Sequence, residues 1–149
     1  VWKKKRRTVK YLHMQHKGEK MAKYNSSLIL QKMVFDKIEF TRKGFKNENE
    51  LTFKLQVQVG LAEDGMYKVT LVLNGTKAEE YDIVIGLSGF FEIENQDQLE
   101  DQLLQNLINK NAVAILMPYL RSELTLLTAQ PDTDSVVLPI FNINKMLEK

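Results

Sequence analysis

The chain has 149 residues, 44% of them hydrophobic, no cysteine and a formal net charge of +2. That is enough apolar material for one buried core, and the lack of cysteine excludes disulfides, thiolate metal sites and cysteine nucleophiles. No apolar run approaches the roughly 18 residues that a membrane-spanning helix requires, and the longest, Ala112–Leu120, already contains Pro118.

Charge is unevenly placed. Residues 1–20 hold eight Lys or Arg against Glu19, a net of +7, so the other 129 residues carry −5. A basic arm on an acidic body suggests nucleic acid or an anionic membrane, and such nucleic-acid affinity would fall steeply with salt. No apolar stretch follows the basic one, so it does not read as a secretory signal. A plainer origin is favoured. The chain opens with Val1, and Lys17-Gly18-Glu19-Lys20 directly precedes Met21. Gly-Glu encoded as GGA-GAA would be a purine-rich bacterial ribosome-binding sequence. Residues 1–20 are therefore expected to be a disordered basic leader or an over-long start, and residues 21–149 the single domain.

From Leu28 to Phe40 the residues read as an extended strand of mixed phase, with Leu28, Leu30 and Val34 in one set and Ile29, Met33 and Phe35 in the other. Mixed phase means a strand buried on both faces in places, or one containing a bulge. Thr41–Glu50 is polar and contains Gly44, so it reads as a loop in which Phe45 is the lone aromatic. Leu51, Phe53, Leu55, Val57, Val59 and Leu61 then alternate with polar residues, the pattern of a strand with one wet face. Asp64-Gly65 supplies a tight turn. Tyr67, Val69, Leu71 and Leu73 line a third strand, which local rules would end at Asn74-Gly75. Tyr81, Ile83, Ile85 and Leu87 begin a fourth, which extends through Phe90, Phe91 and Ile93.

The period then changes. Asp97 is the expected N-cap of a helix from Gln98, with Glu100 and Asp101 favourably near its positive end. Leu99, Leu103, Leu104, Leu107 and Ile108 form an apolar stripe at helical spacing. Asn109-Lys110-Asn111 interrupts it, and Asn111 is expected to cap a second helix running to about Ala129. Pro118 should bend or locally break that helix. Gln130-Pro131-Asp132 ends it, Val136–Phe141 is extended, and Asn142 caps a short final helix that is marginal by itself. Strands followed by helices predict an α+β fold: a four-stranded antiparallel sheet with helices packed on one face.

Catalytic chemistry is hard to build from these residues. His13 and His16 are the only histidines, both inside the basic arm, and no acidic or cysteine cluster completes a metal shell. A Ser-His-Asp arrangement is excluded from the body. Glu79-Glu80 fits a turn and Glu100-Asp101 a helix start, so neither reads as an acid–base pair. No phosphate-binding glycine loop occurs, and Gly86 and Gly89 read as relief of strand curvature or acceptance of close neighbours. The expectation is a protein without enzymatic activity, cofactor or metal.

Five segments, in order, carry a resemblance. Gln31-Lys32-Met33 with Ile38 and Phe40, Tyr67-Lys68-Val69-Thr70-Leu71, Gly89-Phe90-Phe91-Glu92-Ile93, Met117-Pro118-Tyr119-Leu120-Arg121 and Leu138-Pro139-Ile140-Phe141-Asn142 together resemble the SecB-type protein-export chaperones. The resemblance runs from about Leu28 to the C-terminus. It carries the third strand on toward Ala78 and moves the turn to Glu79-Glu80. It implies an ATP-independent holdase of the bacterial cytoplasm that binds unfolded polypeptides or preproteins, usually as a tetramer of two dimers. It implies no nucleic-acid partner and no insertion into a membrane, the rival being nucleic-acid binding by the basic arm, which would vanish without residues 1–20.

A holdase works through apolar surface and backbone pairing. The residues expected to line a client groove are Phe45 and Phe53 near the first loop, and Tyr119, Leu120, Leu127 and Phe141 on the helical side. Plain core packing is the competing role for each, and Phe45 is the best candidate because its loop offers little core to join. Members that dock the motor SecA use acidic residues on the first strand, where this chain has Lys37 and Thr41, with Asp36 and Glu39 shifted alongside. The chain also reaches Lys149 without the longer final helix and acidic tail of those members. A divergent SecB-like member is therefore expected, and a role guarding an antitoxin in a toxin–antitoxin system stays open. So does a non-chaperone adaptor of the same fold.

Overall fold

The computed structural model describes residues 7–8, 28–94 and 100–139. Of the expected leader only Arg7–Thr8 falls within them; the rest of it, with His13 and His16, the Met21 start, the expected cap at Asp97, Phe141 and the helix from Asn142 lie outside the described residues.

The strict alternation over Leu51–Leu61 forms a strand with those bounds, β3, beside β4 (Tyr67–Lys77) and β5 (Tyr81–Ile93). The preceding strand, β2, spans Leu28–Arg42. Together they make a four-stranded antiparallel sheet, extended at one side by the two-residue β1 (Arg7–Thr8), in the order β1-β2-β5-β4-β3. β1 pairs with Leu30 and Ile29, so the described sheet ends on β3 at the other side.

β5 sets the phase for its neighbours. Its odd-numbered residues Tyr81, Ile83, Ile85, Leu87 and Phe91 are all at most 2% exposed. Two register shifts in β2, between Leu30 and Lys32 and between Phe35 and Lys37, explain its mixed pattern. Each shift moves the next apolar residues back to the inner face. Leu28 and Leu30 therefore oppose Ile93 and Phe91, Met33 and Phe35 oppose Gly89 and Leu87, and Ile38 and Phe40 oppose Ile85 and Ile83.

Asp64-Gly65 turns as expected. Gly65 has φ 79°, its amide donates to the Ala62 carbonyl at 3.0 Å, and the Ala62 amide donates to the Met66 carbonyl at 2.7 Å. Asn74-Gly75 does not turn. Gly75 sits mid-ladder between Phe53 and Ile83, and pairing on both sides holds the pair extended against its local preference. The turn falls instead at Ala78–Glu80, where Glu79 takes φ 63° and the Glu80 amide donates to the Lys77 carbonyl at 3.0 Å.

One helical run covers the inner face: α1 (Asp101–Asn106), a π-helical segment (Leu107–Ala112) and α2 (Val113–Thr128). Two sequence expectations are corrected. Glu100 has an extended backbone (φ −68°, ψ 150°), so the helix opens at Asp101 and not at Gln98. Nor does Asn109-Lys110-Asn111 break the run. The chain widens to π geometry there, which accommodates an extra residue per turn and keeps Ile108 and Ala112 buried ahead of Val113 and Leu116.

Pro118 does not break α2 either. Pro118 and Ala114, whose carbonyl loses its amide partner, both lie on the exposed side, so the carbonyl is not stranded in the core. Val113, Leu116, Leu120 and Leu124 face the sheet with no exposure at all. Among the described residues no helix is long and apolar enough to cross a membrane.

At Gly89 α2 packs closely on the sheet. A Cβ there would lie 2.8 Å from Leu116 Cδ2 and 2.8 Å from Phe91 Cε2. Gly89→Ala is expected to cost about 1–3 kcal/mol through overpacking, read as a lower urea midpoint. An unchanged midpoint would mean that the helix seats further from β5.

Candidate functional site

At one end of the sheet the β2–β3 loop, Lys43–Glu50, carries Phe45, which is 87% exposed. A large apolar side chain in open water usually marks a mobile tip or a binding surface, and here the surrounding backbone is tied down. The amides of Lys43 and Gly44 donate to the Glu80 carbonyl at 2.8 and 3.2 Å. Gly44 lies so close to the Glu79 carbonyl that any Cβ would collide with it. Asn47 Nδ2 and Asn49 Nδ2 both donate to the Ala78 carbonyl, at 2.8 and 2.9 Å.

Beneath the loop lies a buried ion pair. Lys77 Nζ is 2.9 Å from Glu80 Oε1 and donates to the Asn47 carbonyl at 2.9 Å. Glu80 Oε1 also accepts the Asn47 amide at 2.7 Å. The Glu80 side chain is fully buried and that of Lys77 is 10% exposed. Burial pushes the Glu80 carboxyl upward, but the bonds from Lys77 and the Asn47 amide outweigh it and hold the group below its ordinary value.

The segment after α2 clamps the loop from the other side. The Lys46 amide donates to Asp132 Oδ2 at 3.1 Å, Lys46 Nζ pairs with Asp134 at 2.8 Å, and Arg42 bonds Thr133. The Asp134 hydrogen bond and charge raise the Lys46 ammonium, and Lys46 lowers the Asp134 carboxyl in return.

Apolar surface continues away from this rim. Phe53 (36% exposed), Val59 (38%) and Leu61 (70%) stand on the inner face of β3, beyond the helices, which pack on β5, β4 and β2. Behind α2, Pro118, Arg121, Ser122, Thr125, Leu126 and Val137 line an open recess of about 620 Å³. Its floor joins α2 to the following segment, where Thr125 Oγ1 donates to the Val136 carbonyl at 2.8 Å.

The groove residues expected from sequence are therefore scattered by role. Phe45 is exposed on the loop and Phe53 on the inner face of β3, while Tyr119 and Leu127 are half-buried and pack against the core. Leu120 is fully buried and packs in the core, the competing role named for it above. Phe141 lies outside the described residues. Asp36 bonds Ser88 on the opposite face, and Glu39 pairs with Lys37 at 3.4 Å. Sequence reasoning missed Leu126 and Val137, each 68% exposed. The signal for Leu126 was present, since it lies two residues from both Leu124 and Thr128 and so falls on the far side of α2.

Neither the family models nor the curated proteins contain a match to this chain. Among solved structures, the Mycobacterium tuberculosis Rv1957 SecB-like chaperone, in complex with a ChAD peptide from the HigA1 antitoxin, is similar over 77% of this chain and 91% of its own. Its TM-score is 0.60 at 14% identity, so the likeness is one of fold. A Streptococcus agalactiae protein of unknown function covers 78% of this chain and all of its own, at 13% identity and a TM-score of 0.45. The described sheet, with its helix on one face, is thus a SecB-like fold.

The buried pair makes stability depend on pH. A carboxyl held below its ordinary value stabilises the fold above that value and loses the contribution as pH falls through the lowered one. Lys77→Met should cost about 3–5 kcal/mol near neutrality, by stranding the Glu80 charge. The deficit should shrink in strong acid, where protonated Glu80 needs no cation. Urea melts of both proteins at the two extremes check this. An equal gap at both would show that the Glu80 charge does not depend on Lys77.

Proposed function

We propose that this protein is an ATP-independent holdase that captures extended, apolar polypeptide segments on the open inner face of its sheet. The observation that carries the reading is Phe45, 87% exposed on a loop whose flanking amides are bonded on both sides. The exposed Phe53, Val59 and Leu61 continue the apolar surface along β3. β3 is also the outer strand of the sheet, so its edge offers backbone groups to an extended client. Such a site selects for apolarity and disorder, not for a reacting group, and acts by binding.

A second reading narrows the client to a segment of an antitoxin. It draws on the structural neighbour, which was solved with an antitoxin peptide. It also fits the first strand better than motor-coupled export of preproteins. Asp36 is engaged by Ser88 and Glu39 by Lys37, and Lys37 and Thr41 stand where SecA-docking members carry acidic groups. By the same resemblance the chaperone works in the bacterial cytoplasm as a tetramer of two dimers.

The test is suppression of aggregation of several unrelated denatured proteins, with native mass spectrometry of the complexes. Protection of unrelated clients at substoichiometric amounts supports the general holdase. Binding of one antitoxin-derived segment alone supports the narrower reading, and protection of none favours an adaptor for a folded partner. Phe45→Ser should weaken client binding several-fold and move the urea midpoint by no more than about 0.5 kcal/mol equivalent, as for an exposed site. Loss of folding would make Phe45 a structural residue.

A further inference from the structure

We infer that the buried Lys77–Glu80 pair is a positioning device for client capture, fixing the β2–β3 loop so that Phe45 stands ordered in water before any client arrives. The inference rests on the holdase reading above. Two segments distant in sequence converge on this loop: the end of β4 with the β4–β5 turn, through Lys77, Ala78 and Glu80, and the stretch after α2, through Asp132 and Asp134. The ties reach the amides of Lys43, Gly44, Lys46 and Asn47, on both sides of Phe45.

Stability alone gives little reason for this arrangement. Desolvating a carboxylate and an ammonium costs as much as their attraction returns, and an apolar pair of similar volume commonly does as well. What the ion pair adds is direction. One carboxylate oxygen, Glu80 Oε1, serves both the ammonium and the Asn47 amide, which ties the β4–β5 turn to the loop at one point. A loop ordered in advance does not have to be ordered at capture, which lowers the entropic cost of binding.

A double-mutant cycle on the full chain tests this, with fluorescently labelled, reduced and carboxymethylated α-lactalbumin as the unfolded probe and anisotropy as the readout. Glu80→Gln removes the charge. The milder Asn47→Ala removes the side-chain bonds to the Ala78 carbonyl and from the Asn49 amide without touching the buried pair. Both are expected to weaken binding about three- to tenfold when Phe45 is present, and to leave it unchanged in the Phe45→Ser background. Hydrogen exchange should show faster exchange of the Gly44 and Asn47 amides in both variants. Equal losses in the two backgrounds would overturn the inference, because the pair would then act on the whole fold. So would undiminished binding by both variants. Failure of the unaltered chain to bind the probe would overturn the chaperone reading and this inference together, whereas binding that ignores both substitutions overturns this inference alone.

Discussion

One helix is narrower than four strands, and most of this structure follows from that mismatch. Four strands at about 4.8 Å spacing present a face roughly 15 Å across, and side chains widen it further. A helix with its side chains covers about 10 Å. The helical run here sits on β5 and β4 with its π segment reaching β2, and it seals Val69, Leu71, Ile85 and Leu87 from water. β3 carries the same apolar phase but lies at the margin, so Phe53, Val59 and Leu61 stay partly or largely exposed. The apolar surface is thus a geometric consequence of placing an amphipathic strand at the margin of its cover, where Leu51, Leu55 and Val57 still pack against the core.

The same mismatch decides what sequence could disclose. β3 was legible to the residue because an edge strand with one wet face keeps a clean alternation. The mixed phase of β2 was legible as a choice between two-faced burial and a bulge, and pairing with β5 selects bulges at both irregular points. Asn74-Gly75 misled on local grounds, since a strong turn signal yields when strands on both sides hold the segment in a ladder. The resemblance, not the propensity, placed that turn correctly. Asn109-Lys110-Asn111 misled in the same way. Three polar residues look like a break, but a π turn lets the run continue while Ile108 and Ala112 stay inward.

The site was less legible than the fold, and for a physical reason. A residue's type shows that it is apolar, but not on which side of the uncovered margin it will fall. Tyr119, Leu120 and Leu127 lie within one stretch of α2, yet Leu120 faces the sheet and is sealed while the other two are half-buried. Leu126 reaches open solvent only because the buried stripe steps by four from Leu120 to Leu124 and Thr128. Phe45 was readable because its neighbours are polar, which leaves an aromatic ring no apolar partner near in sequence.

The polar burial beneath Phe45 was not readable at all. Glu79-Glu80 looks like an ordinary turn pair, and the sequence does not distinguish the left-handed Glu79 from the sealed Glu80. The difference arises when the β2–β3 loop folds over the β4–β5 turn and removes water from one carboxylate. That event puts charge where a core would hold hydrocarbon, and an aromatic ring where a surface would hold charge. Each placement is unfavourable alone. Together they make sense if the loop must be stiff and its tip adhesive, because hydrogen bonds to a buried charge specify a position and hydrophobic contacts do not. A flexible loop with the same phenylalanine would have to be ordered at each binding event, at a cost in entropy that a stiff loop has already met on folding.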